Sequence, residues 1–185
     1  MEEKIIIAGF GGQGVMAMGQ MITYSGMIEE KYVSWLPSYG PEMRGGTANC
    51  NVIVSDDPIA SPVVVEATTA IVLNKPSLDK FEEAVLEGGR LFINSSLIEE
   101  KSSRDDIEVY YVPANEIASN LGNTRVANMV MLGAYLEVLD LVGIESIYEA
   151  FEKVFGETKM HLLPINKEAL KRGSQVIKDK KEVLA

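Results

Sequence analysis

Lys4-Ile5-Ile6-Ile7-Ala8 runs without a break into Gly9-Phe10-Gly11-Gly12-Gln13-Gly14, and a proline-free stretch from Val15 to Ile28 follows. A short, β-branched, continuously apolar run reads as a strand buried on both faces of a sheet. The stretch after the glycines reads as a helix. A glycine-rich turn between such a strand and such a helix satisfies G-x-G-x-x-G in its required context. The glycines let the backbone turn tightly and leave amides open to anionic oxygens. The helix start adds unsatisfied N–H groups and a partial positive charge. A chain that begins this way needs helices on both faces of its sheet.

The rest of the sequence agrees. Tyr32 to Leu36 and Thr47 to Ser55 read as strands. Between them lie the breakers Pro37, Gly40, Pro41, Gly45 and Gly46. In the second strand Cys50, Val52 and Val54 face one side, and Asn49, Asn51 and Ile53 the other. Ala70–Leu73, Arg90–Asn94 and Glu108–Val112 complete the strands. Pro76–Leu86 is expected to be a helix ended by Gly88-Gly89. Helices are also expected at Pro113–Leu121, Thr124–Leu141 and Ile144–Phe155, and from an Asn166 N-cap to about Lys181. Two strands in succession with no helix between them predict a mixed sheet. The expected fold is a three-layer α/β/α sandwich with a mixed, mostly parallel sheet and a Rossmann-like glycine turn after strand 1. Residues 1–185 are expected to form a single domain.

Charge and cysteine content exclude several functions. Lys and Arg number 17 against 27 Asp and Glu, a formal net charge of −10. That balance argues against a nucleic-acid partner, because phosphate contacts need cations. One cysteine, Cys50, cannot alone hold an iron–sulfur cluster or a structural zinc. No metal site and no catalytic residue is expected in this chain. No targeting segment and no membrane span is visible, so a cytoplasmic protein is expected.

Two constellations carry chemistry. The first is the turn, with Gly9, Gly11, Gly12, Gln13 and Gly14 as candidate ligand-binding residues. Its bland alternative is a tight strand–helix turn with no ligand. Dinucleotide binding would also need an acidic residue at the end of the second strand, to hold a ribose. Trp35-Leu36-Pro37-Ser38 stands there instead, which disfavours NAD. The second constellation is Ser38-Tyr39-Gly40-Pro41-Glu42-Met43-Arg44-Gly45-Gly46. Arg44 offers a bidentate clamp for carboxylate or phosphate, and Tyr39 a ring face with a hydroxyl. The bland alternative is a surface loop with a local Glu42–Arg44 pair. Cys50 reads as a small buried hydrophobe, and His161, the only histidine, is disfavoured as a catalytic base.

Gly11-Gly12-Gln13-Gly14, followed by Tyr39-Gly40-Pro41-Glu42-Met43-Arg44-Gly45-Gly46, resembles the signature of the gamma subunit of 2-oxoacid:ferredoxin (or acceptor) oxidoreductases. The likeness continues through Ile59-Ala60-Ser61-Pro62, Arg125 to Met129 with Gly133-Ala134, and Asn166 to Gly173. It is closest to the 2-oxoglutarate members, with the branched-chain members next. The resemblance implies a mechanism divided among chains. Thiamine diphosphate, magnesium and iron–sulfur clusters sit on partner subunits (alpha, beta and a ferredoxin-like delta), and ferredoxin takes the electrons. The gamma chain contacts coenzyme A as co-substrate. It implies cofactor-binding roles for Gly9, Gly11, Gly12, Gln13, Gly14, Tyr39, Arg44, Gly45 and Gly46. It also implies substrate or interface roles for Gly40, Pro41, Glu42 and Asn128.

Coenzyme A carries phosphates but needs no ribose-clasping acid, so the missing carboxylate is expected in such a chain. The alternatives are a pyruvate, indolepyruvate or branched-chain member of the family, a non-catalytic nucleotide-binding scaffold or regulatory protein, and a stand-alone NAD-linked reductase. Finally, Val126, Met129, Val130, Leu132, Tyr135, Leu136 and Leu139 cover most of the circumference of one predicted helix. Such a helix must be buried on several sides, by neighbouring helices or by another chain.

Overall fold

The computed structural model describes residues 1–38 and 48–184, with side chains described to residue 180. One sheet of six strands organises the chain, in the order β2-β3-β1-β4-β5-β6. The strands are β1 (Glu2–Gly9), β2 (Tyr32–Ser38), β3 (Ala48–Ser55), β4 (Ala67–Val72), β5 (Val85–Asn94) and β6 (Glu108–Val112). β1, β4, β5 and β6 pair in parallel, whereas β3 is antiparallel to both of its neighbours, β1 and β2. β2 therefore runs the same way as β1, and β3 alone runs against the rest.

Alternation along the strands assigns the two faces. Ile5, Ile7, Cys50, Val52, Val54, Ile71, Phe92 and Val112 point into the larger core. That core is closed by α1 (Val15–Ile28), α3 (Ala114–Asn120), α4 (Ala127–Val138), α5 (Ile144–Phe155) and α6 (Leu163–Leu184). The opposite face is covered more thinly. There Ala70, Val72, Leu91 and Ile93 meet Leu78 of α2 (Lys75–Phe81) and Ile98, while Ile6 and Ile53 meet Val64 and Ala67.

Several element boundaries differ from expectation, three of them for an evident local reason. α2 ends at Phe81 and a 3₁₀ turn, Glu82–Ala84, leads into β5, so Gly88-Gly89 lies inside a strand and does not end a helix. The pair serves an irregularity: Ala67 pairs with Val85 but Thr69 with Arg90, so the chain between bulges outward. Gly88 there has φ +73°, and a Cβ on Gly89 would sit 2.7 Å from the Leu86 carbonyl oxygen. Asn166 is not an N-cap. α6 starts at Leu163 directly from a 3₁₀ turn, Pro164 fits its first turn, and Asn166 Nδ2 donates to the Leu162 carbonyl at 2.7 Å. The predicted helix from Thr124 begins as a 3₁₀ turn, Thr124–Val126, capped by Asn123 Oδ1 accepting from Arg125 N at 3.1 Å.

The helix with apolar residues on most of its circumference is covered within the chain. Asn128 to Tyr135 of α4 are all buried, and α6 crosses α4 at backbone contact. The circumferential apolar pattern thus reflects a helix sandwiched between sheet and α6, and it requires no second chain.

Cys50 is fully buried, with Sγ 3.7 Å from the Val15 carbonyl oxygen, and burial pushes its thiol up to about 12. The folded thiol therefore keeps its proton in a window where the unfolded thiol loses it. Its contribution is intact below about pH 9 and is lost as pH rises towards about 12, at up to ~1.4 kcal/mol per pH unit. Cys50→Ala is expected to flatten the fall in urea midpoint between pH 9 and 10.5. An unchanged slope would show that the thiol is not buried as described.

Candidate functional site

The common direction of β1, β4 and β5 brings their carboxyl ends to one edge of the sheet. The chain leaves β1 for α1 on one face and β4 for α2 on the other. A crevice opens between neighbouring strands whose connections diverge in this way, and ligands of open α/β sheets bind there. Gly9–Gly14 lies at this point.

The turn is held by its own glutamine. Gln13 Oε1 accepts from Phe10 N at 2.6 Å, and Gln13 Nε2 donates to the Leu73 carbonyl at 3.3 Å, which ties the turn to the end of β4. Gly12 and Gly14 have φ +93° and +79°, conformations that L side chains rarely adopt. Gly14 is the N-cap of α1 and offers no side-chain cap, so the first amides of the helix are left for water or a ligand.

Asn128, at the start of α4, is buried beside the turn. Its Nδ2 donates to the Gly14 carbonyl at 3.3 Å, and its Oδ1 accepts from Met129 N at 3.0 Å. A hollow of about 190 Å³ opens here, lined by Gly12, Gln13, Asn94, Asn115, Arg125 and Asn128, with Leu73, Thr124 and Ala127. Asn94 Nδ2 donates to Asn115 Oδ1 at 2.7 Å, and Asn74 Oδ1 caps α2 through Ser77 N at 2.9 Å. Arg125 is exposed and is the only charged side chain among the described lining residues. Neutral amides around a single guanidinium suit an anionic ligand with polar edges. Metal binding would need carboxylates or imidazoles.

Of the residues singled out from sequence, Gly9, Gly11, Gly12, Gln13, Gly14 and Asn128 meet at this edge. Tyr39, Gly40, Pro41, Glu42, Arg44, Gly45 and Gly46 lie outside the described residues. The described residues that flank them are placed: Ser38 pairs with Asn49, and Ala48 pairs with Gly9. Sequence reasoning missed Asn94, Asn115 and Arg125 as lining residues of this hollow, and Asn74 as the cap of α2 beside it. A signal existed, because Ala70-Ile71-Val72-Leu73-Asn74 and Leu91-Phe92-Ile93-Asn94 are apolar strands that both end in asparagine at the ligand edge. His161 stands apart, exposed, with Nδ1 2.9 Å from the Thr158 carbonyl oxygen.

Gly12 separates binding from folding. A Cβ there would meet nothing within 4 Å, and its only penalty is the positive φ. Gly12→Val is expected to destabilise the chain by about 2–3 kcal/mol, because a β-branched residue is strained at positive φ, while obstructing approach to the turn. Melting curves and ligand titration on one sample check both halves; full binding by a folded variant would make the turn purely structural.

A family model described as pyruvate ferredoxin/flavodoxin oxidoreductase matches residues 4–176. The ketoisovalerate oxidoreductase subunit VorA of Methanothermobacter thermautotrophicus is 39% identical over 176 residues, 94% of this chain and 36% of that protein. The chain thus spans about a third of that relative's length. The 2-oxoglutarate synthase subunit KorC of Methanocaldococcus jannaschii is 33% identical over 153 residues, 81% of this chain and 82% of that protein. Among solved structures, the gamma subunit of a keto/oxoacid ferredoxin oxidoreductase from Geobacter sulfurreducens superimposes with a TM-score of 0.80 at 26% identity. It covers 96% of this chain and 99% of that one.

Proposed function

Because the chain belongs to the pyruvate ferredoxin/flavodoxin oxidoreductase family, we propose that it serves as the gamma-type subunit of a 2-oxoacid:ferredoxin oxidoreductase. In this reading residues 1–185 form one gamma domain of a cytoplasmic complex that converts a 2-oxoacid oxidatively to its acyl-coenzyme A. Thiamine diphosphate, magnesium and iron–sulfur clusters supply decarboxylation and electron transfer on the alpha, beta and ferredoxin-like delta partners. The single cysteine of this chain is buried, so cluster thiolates come from elsewhere. No helix among the described residues is long and apolar enough to cross a membrane.

The observation that carries the reading is the glycine turn at the divergence of β1 and β4, beside a hollow with one cation and no carboxylate among its described lining. Such a site fits the phosphates of coenzyme A. Gly12 leaves room at the turn, the first amides of α1 offer donors, and Arg125 and Asn128 flank them. Arg44, Tyr39, Gly45 and Gly46 join them in this reading through their family likeness, with Gly40, Pro41 and Glu42 at the contact with substrate or partner.

The test is copurification from the native host followed by assay with several 2-oxoacids and coenzyme A. In the assembled enzyme Arg44→Ala is expected to raise the apparent KM for coenzyme A while the intermediate on the partner's cofactor still forms. Ordinary coenzyme A kinetics in that variant would remove Arg44 from the site. Sustained turnover by this chain alone would overturn the subunit reading.

The substrate we propose is 2-oxoglutarate, on the likeness of Ser38-Tyr39-Gly40-Pro41-Glu42 to those members. A branched-chain 2-oxoacid is the second reading. It is favoured by the higher identity to a ketoisovalerate subunit, 39% against 33% for the 2-oxoglutarate relative. Parallel assays with 2-oxoglutarate and 3-methyl-2-oxobutanoate decide between them.

A further inference from the structure

The two faces of the sheet are covered unequally at the β2 end. Among the described helices α1 is the one packed on β2 and β3, and it lies on the larger-core side. On the opposite side Tyr32, Ser34, Leu36 and Ser38 of β2 stand in register with Ser55, Ile53, Asn51 and Asn49 of β3. Tyr32 is 50% exposed there and Leu36 38%. Beside them, the segment between β3 and β4 sets Val64 onto Ile6 and Ile53. Its neighbours Val63 and Val65 are 56% and 78% exposed. All of these strand positions, and every residue from Pro58 to Val65, are uncharged, in a chain where 24% of residues are charged. Exposed apolar groups gathered in uncharged surroundings mark an interaction surface. The same segment contains Ile59-Ala60-Ser61-Pro62, part of the family likeness. It joins its strands at the sheet edge opposite the glycine turn, so ligand binding does not account for it.

We infer that the open face of β2 and β3, with the Pro58–Val65 segment, is where the thiamine-diphosphate-bearing partner docks, through uncharged side chains of its own. The inference rests on the subunit reading for the identity of the partner; the position of the surface comes from the fold. The exposed parts of these side chains come to roughly 600 Å² on this side, enough for the roughly 1,000 Å² in total that a specific interface should clear. Charge selects against a second copy, which would bring another −10 to the contact. Strand addition at the outer edge is opposed by Pro37 of β2, which has no N–H to give. In the VorA relative a unit of this kind makes up 36% of a longer chain, so there it has neighbours of different sequence. Continuity selects the thiamine-bearing partner. The face lies on the two strands whose connection in sequence carries Gly40, Pro41 and Glu42, the residues assigned above to contact with substrate or partner. In that reading the substrate reacts on thiamine diphosphate.

The test coexpresses the tagged full chain with the alpha and beta subunits and measures how much of them it captures. Leu36→Lys combined with Val65→Lys sets two charges into the face at exposed positions, and lysine is well tolerated on an edge strand. The pair is expected to lower capture by about tenfold or more, because each charge loses its water on docking with no partner to meet it. The melting temperature of the isolated chain should hardly move. Val65→Lys alone lies outside the strands and keeps the test available if the strand change disturbs folding; it should lower capture several-fold. Glu152→Lys, the same change in net charge on the exposed side of α5, should leave capture as in the wild type. Wild-type capture by the doubly substituted chain would overturn the surface while leaving the subunit reading intact. A wild-type chain that captures neither subunit would refute the subunit reading, and the named occupant with it. An isolated chain that sediments as a dimer, and as a monomer once the two lysines are present, would give the face to a second copy and overturn the inference.

Discussion

Gly133→Ala is expected to destabilise the chain by about 3 kcal/mol or more, although the same change in an exposed helix stabilises by ~1 kcal/mol. The sign is reversed by a helix crossing. A Cβ on Gly133 of α4 would sit 1.9 Å from the Leu170 carbonyl oxygen and 2.6 Å from its carbon, both backbone atoms of α6. Backbone cannot rotate aside as a side-chain tip can, so α4 and α6 must move apart. That movement opens gaps around Met129, Val130 and Leu170, which are buried. Gly173 of α6 makes the reciprocal approach, with its would-be Cβ 1.9 Å from the Val130 carbonyl oxygen. Because one separation relieves both clashes, Gly133→Ala and Gly173→Ala together should cost clearly less than their sum. Urea unfolding of the two single variants and the double variant measures this. A stabilised Gly133→Ala would contradict the crossing.

Gly14→Ala is the second large effect, and it should remove ligand binding and stability together. Two penalties coincide there. The φ of +79° is unfavourable for alanine by ~1–2 kcal/mol, and the new Cβ would lie 2.3 Å from Asn128 Nδ2. Asn128 would have to swing out of a buried position and give up its bond to the Gly14 carbonyl. A total of about 2–4 kcal/mol is expected, because a buried amide is left unpaired as well. Asn128→Ala offers the control. Adding Gly14→Ala to that background should cost only the backbone strain, so the two changes couple strongly in a double-mutant cycle. Strict additivity would show that Asn128 does not rest on the turn.

The two parts of the site differed in how far the sequence revealed them. The turn is contiguous: strand, glycines and helix follow one another, so its position at the ligand edge follows from local rules. β3 was legible because Cys50, Val52 and Val54 alternate with Asn49, Asn51 and Ile53, a period-two pattern with one polar face. The amides of Asn74, Asn94 and Asn115 come from three separate stretches that meet only when β4, β5 and β6 align. Arg125 stood within a recognised stretch, but no local rule says that its side chain borders Gly12. The glycines misled where they act over distance. Gly88-Gly89 has the look of a helix terminator but accommodates a bulge in β5. Gly133 and Gly173 are ordinary weak points of a helix until the two helices are laid across each other. The residues from Tyr39 to Gly46, the strongest part of the family likeness, lie outside the described residues.

The crossing of α4 and α6 also bears on how such a unit passes between polypeptides. α6 seals the face of α4 that the sheet leaves open, so the burial of α4 is completed within the described residues. A module of that kind can be spliced into a longer chain or left as a chain of its own without redesigning its interior. Related proteins of both lengths exist, and fusion or separation would then ask for new linkers and surfaces only. The glycines at the crossing would be the residues least free to drift in either setting.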